Sequence, residues 1–80
     1  MKRIAFVTDN FSEALNTLRK RFPNARALSL SSGTIEPVHD EIWHIITREE
    51  QVKGMEFTGI EFHGRPSSRL MNIARNRVRG

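Results

Sequence analysis

Four consecutive apolar residues, Ile4-Ala5-Phe6-Val7, are followed almost at once by apolar positions that recur with helical spacing, and this pairing restricts what the chain can become. An unbroken apolar strand has no solvent-facing side and needs cover on both faces of its sheet. The next apolar residues are Phe11, Ala14, Leu15, Leu18 and Phe22, one face of an α-helix. Asn10 and Glu13 have the spacing of a capping box, with Asn in the Ser/Thr place. Arg19-Lys20-Arg21 lies where cations favour the helix dipole, and Pro23-Asn24 stops the helix.

Further elements follow. Ala25 to Leu30 alternates weakly and reads as a second strand. Ser31-Ser32-Gly33-Thr34 reads as a loop, which Pro37 keeps irregular. Glu41 to Thr47 is β-branched and aromatic, the best strand signal in the chain. Thr47 and Glu50 give a second capping pattern for a short helix that Gly54 closes. Phe57 to His63 reads as a strand interrupted by Gly59, and Pro66 suits the first position of a last helix. On that helix Leu70, Met71, Ala74 and Val78 share one face, while Arg65, Arg69, Arg75 and Arg79 cluster on the other. The predicted fold is α/β, a small mostly parallel four-stranded sheet flanked by three helices in the order β-α-β-β-α-β-α. Residues 1–80 form a single domain that ends in a basic helix at about 66–79.

Cysteine is absent, so no disulfide staples the fold and no thiolate acts as ligand or nucleophile. No apolar run approaches the ~18 residues of a membrane span, and the apolar start is too short for a signal peptide. The expected setting is the cytoplasm, without a membrane partner. Net charge is +4, and the excess is local: residues 65–80 carry five arginines and no acid, while residues 1–64 are close to neutral. Such asymmetry suits an acidic protein surface or nucleic acid, and equally a solvated helix face.

Catalytic signatures are missing. The turn Thr8-Asp9-Asn10-Phe11 has neither the glycines nor the lysine of a phosphate loop. His39, His44 and His63 lack metal-binding spacing, and His44 inside an apolar strand reads as a core imidazole. No serine sits in a glycine-flanked elbow. No cofactor, metal or catalytic residue is expected. In open parallel sheets ligands bind at the carboxyl ends of the strands, which would gather Thr8, Asp9, Ser31, Thr47, Arg48, His63 and Arg65 at one edge.

Two segments carry a family likeness. Lys53-Gly54-Met55-Glu56-Phe57 resembles the K-G-L-E-F motif of superfamily 1, UvrD-like DNA helicases. Leu70 to Arg77, L-M-N-I-A-R-N-R, resembles the motif that follows it, which reads roughly L-L-Y-V-A-L-T-R. Ile4 through Leu18 is similar to the segment that opens the family's second RecA-like motor domain. The resemblance implies that Glu56 lies where the family contacts a nucleotide ribose, and that Arg77 matches the arginine reaching the γ-phosphate. An arginine fits that role because its fixed fork spreads positive charge over phosphate oxygens. The chain departs from the pattern in several ways. It lacks the first motor domain with its Walker residues, Thr8 stands where an arginine is usual, and Asn72 and Asn76 replace a tyrosine and a threonine. ATP hydrolysis by this chain alone is not implied.

Three functions fit these residues. The first is a non-catalytic accessory or inhibitory module that binds a larger protein, of the kind phages and mobile elements carry. The second is nucleic-acid binding through Arg65, Arg69, Arg75, Arg77 and Arg79, although no aromatics interleave with them to stack bases. The third is an arginine donor, with Arg77 completing a site on a partner NTPase. Protein binding ranks first.

Overall fold

A computed structural model describes residues 1–79. In chain order the elements are β1 (Lys2–Thr8), α1 (Phe11–Arg21), β2 (Ala27–Ser29), β3 (Thr34–Glu36), β4 (Glu41–Ile46), β5 (Gly59–His63) and α2 (Ser68–Arg75), with a 3-10 turn at Glu49–Gln51. The strands form one five-stranded sheet in the order β2-β3-β4-β1-β5.

This corrects the expected four-stranded, mostly parallel sheet with three helices. The sheet has five strands and is mixed: β1 pairs in parallel with β4 and β5, whereas β3 pairs antiparallel with β2 and β4. Two local causes account for the difference. Gly33, at φ 65°, lets the chain fold back, so Thr34-Ile35-Glu36 returns along Ala27-Leu28-Ser29 as a hairpin. The short helix expected between Thr47 and Gly54 is one 3-10 turn. The Gln51 side-chain oxygen accepts from the backbone N–H groups of Thr47 and Arg48, and Gly54 at φ 75° ends the segment. Gln51, rather than Glu50, supplies the cap.

Alternation along β1 explains the layering. Ala5 and Val7 face one side, where they pack with Ile46, Val52, Phe57, Leu70 and Ala74 beneath α2. Phe6 faces the other, packing with Ala14, Leu15 and Leu18 of α1 and with Ile35, Trp43 and Ile45. β1 is therefore covered on both sides, as its unbroken apolar run requires. α1 starts with the Asn10 side chain accepting from Glu13 N–H, as its sequence predicts. α2 is shorter than expected. Its cap is Ser67, whose hydroxyl accepts from Leu70 N–H, and Pro66 precedes it as a buried residue. Leu70 and Ala74 are buried, so the apolar side of α2 points inward.

Arg21 fastens α1 to the sheet. Its guanidinium pairs with Glu61 of β5 at 2.8 Å and lies over the rings of Phe6 and Trp43. One turn earlier, Thr17 reaches His63 of the same strand.

Candidate functional site

The carboxyl ends of β1, β4 and β5 lie along one edge of the sheet, which brings Thr8, Asp9, Thr47, Arg48, His63 and Arg65 together. Ser31 joins them on the β2–β3 hairpin, because the Gly33 carbonyl beside it accepts from Ile45 N–H. Thr8 is fully buried, its Oγ1 3.1 Å from His63 Nδ1. His63 Nε2 lies 3.2 Å from Thr17 Oγ1, whose proton is committed to the Glu13 carbonyl. A neutral His63 ring therefore donates from Nε2 to Thr17 and accepts the Thr8 hydroxyl at Nδ1. These groups hold β1, β5 and α1 to one another.

Asp9 accepts from the backbone N–H of Arg65. Close by, Thr47, Arg48, Glu49, Glu50, Ser67 and Leu70 line an open cleft of about 290 Å³. Glu49 binds Arg69 at 2.8 Å there, so the cleft holds both signs of charge and favours neither. Among the described residues no cluster of three or more metal-ligating side chains forms, and no helix is long and apolar enough to cross a membrane.

His44 is half-buried on the α2 side of β4. Arg3 Nη1 lies 3.1 Å from its Nε2, and the ring meets Phe57 edge-on. Burial, and then the Arg3 charge, lower its pKa to about 4.

The C-terminal arginines do not form one free row. Arg69 pairs with Glu49 and Arg79 with Glu56, while the Arg75 guanidinium lies 5.3 Å from the centre of the Phe62 ring. Arg65 is exposed and Arg77 half-buried. Among the described residues Arg65, Arg75 and Arg77 have no acidic partner. Glu56 and Arg77, singled out together by the helicase-like motifs, lie on adjoining segments. Phe57 N–H donates to the Arg77 carbonyl at 2.8 Å, and Arg79 N–H donates to the Phe57 carbonyl at 2.7 Å. The Glu56 carboxylate is occupied by Arg79.

This pairing opens a ladder beside the sheet. Phe57 and Val78 form an isolated parallel bridge. Beyond it the outer side of β5 has no strand neighbour among the described residues. The direction of its peptide groups follows from β1. Lys2 N–H donates to Asp40, toward β4, while both peptide groups of Arg3 meet Thr58, toward β5. With Ile4 opposite Gly59, alternation turns Gly59, Glu61 and His63 toward β1 and leaves Ile60 and Phe62 facing outward. Neither this edge nor the Arg21–Glu61 pair is visible in the sequence, since both depend on which strand flanks β1.

At the opposite edge, Leu28 of β2 and Leu30 just after it are exposed. Comparison with family models, curated proteins and solved structures finds no match.

Proposed function

We propose that this domain is a non-catalytic accessory or inhibitory module that docks on a larger protein, and that it does so through the outer edge of β5. The observation that carries this reading is the open ladder. Phe57 already pairs with Val78, and the next outward peptide groups, at Ile60 and Phe62, have no strand beside them among the described residues. Unpaired strand edges are templates for a second chain, and main-chain hydrogen bonds supply affinity in such complexes. The commitment of Arg69 and Arg79 to acids supports protein over nucleic acid, because fewer cations remain to release counterions.

The test is affinity capture from a lysate of the source organism, with and without nuclease, using wild type, Ile60→Pro and Ile60→Ala. Proline at residue 60 removes an outward N–H and leaves the ladder to β1 intact. Alanine controls for the lost side chain. A protein retained by wild type and Ile60→Ala, insensitive to nuclease and lost with Ile60→Pro, is expected. A prey released by nuclease would instead select the nucleic-acid reading.

The adjacency of Glu56 and Arg77 favours one second reading, in which Arg77 reaches the nucleotide of a partner NTPase. Kinship to the UvrD-like motor domains belongs to this proposal. Arg77→Ala should then suppress the partner's turnover while the domain stays folded, and unchanged turnover would eliminate it.

A further inference from the structure

We infer that the segment received by the β5 edge is an extended, acidic stretch of the partner, one in which carboxylates alternate with β-branched residues. This rests on the docking reading above and adds the chemistry of the occupant.

The surroundings of the edge are unevenly charged. On the α2 side the guanidinium of Arg75 covers Phe62, with no acid beside it among the described residues. Arg65 follows two residues after the end of β5 and is exposed. Arg77 stands at the start of the edge, next to Phe57, where Arg79 is paired with Glu56. The nearest carboxylate on the strand is Glu61, and Arg21 neutralises it at 2.8 Å. A strand laid along Ile60 and Phe62 therefore meets cations on one face and at both ends. Carboxylates there gain charge-assisted hydrogen bonds to guanidinium groups, whereas lysines would be repelled.

The two faces of the edge set the alternation. Carboxylates on the α2 face meet Arg75, and β-branched side chains, which favour extended backbone, take the opposite face beside the neutralised Glu61. Gly59 offers no side chain to compete with an incoming residue, and a Cβ at that position would stand 3.0 Å from Ile4 Cδ1.

The test uses two short synthetic peptides, one alternating valine with glutamate and the other valine with lysine, followed by amide NMR and hydrogen exchange on the full chain. The glutamate peptide should bind on the order of tenfold more tightly than the lysine peptide. It should slow exchange at Ile60 and Phe62. The amides of Glu61 and His63 point to β1 and should be protected before and after. Arg65→Glu with Arg75→Glu should invert the preference between peptides, with an unchanged thermal melt showing that the fold persists. Equal binding of both peptides, no binding of the glutamate peptide, or protection away from Ile60 and Phe62 would overturn the inference. So would displacement of the glutamate peptide by a single-stranded oligonucleotide that protects the same two amides. If lysate capture depends on Ile60 while these peptides fail, the occupant is wrong and the docking edge stands. If capture also fails, the docking reading falls with it.

Discussion

Acidification should destabilise this domain through His44, and the size of the effect follows from its setting. The folded ring has a pKa of about 4, against 6.5 for an unperturbed histidine, because it is desolvated and faces Arg3. At about 1.4 kcal/mol per pKa unit the difference sets a ceiling of about 3 kcal/mol. The ring is only half-buried, and solvent screening brings the expected value to about 1–2 kcal/mol. The sign is that of a depressed pKa. Above pH 6.5 the ring is neutral in both states and costs nothing. As pH falls below that value the unfolded chain takes up the proton first, so stability drops until the folded ring also titrates near pH 4. Urea unfolding followed by the fluorescence of Trp43, the single tryptophan, reads this directly. Carboxylates also titrate in this range, so the informative quantity is the difference from His44→Gln, which keeps an acceptor for Arg3 and cannot be protonated. Between about pH 7.5 and pH 4.5 that difference should move by about 1–2 kcal/mol in favour of the variant. Parallel stability curves for the two proteins would refute the assignment.

Three further outcomes follow from the packing. Thr8→Val should cost about 1–3 kcal/mol in chemical denaturation, because the fully buried hydroxyl serves both His63 and Asn10 N–H, and an isosteric methyl leaves them unpaired. Gly64→Ala should lower the melting temperature more than Gly54→Ala. Both glycines have positive φ, which costs an alanine about 1–2 kcal/mol, but only at Gly64 would the new Cβ collide with the Asp9 carboxylate. Arg21→Ala should destabilise by about 1–2 kcal/mol, and most of this should survive in high salt, because the lost cover over Phe6 and Trp43 outweighs the half-exposed ion pair with Glu61.

The first strand and helix are legible from the residues because both signals are local. Ile4 to Val7 demands two-sided burial, and Asn10 with Glu13 marks the helix start. The inward face of α2 is legible for the same reason, through Leu70 and Ala74. The hairpin is not, since three residues ahead of Pro37 are too few to show a period, and their pairing is decided by Gly33 and by neighbours on β4. The short helix after β4 fails because Gln51 satisfies the N–H groups that a longer helix would have organised. At the candidate site, composition locates the cations but not their partners. Arg69 and Arg79 meet acids that lie about twenty residues earlier, at Glu49 and Glu56, and the open side of β5 exists only once the strand order is known.

The position of β1 at the heart of the sheet governs how the chain can reach this structure. Its two flanking neighbours begin at Glu41 and Gly59, so β1 acquires its lateral bonds only after strands far along the chain from it have been made. Loop closure over such separations is paid for before any contact repays it, which slows the search and leaves little room for partly built forms. A nascent chain halted ahead of α2 would leave Ala5 and Val7 without the cover of Leu70 and Ala74, a target for chaperones and proteases.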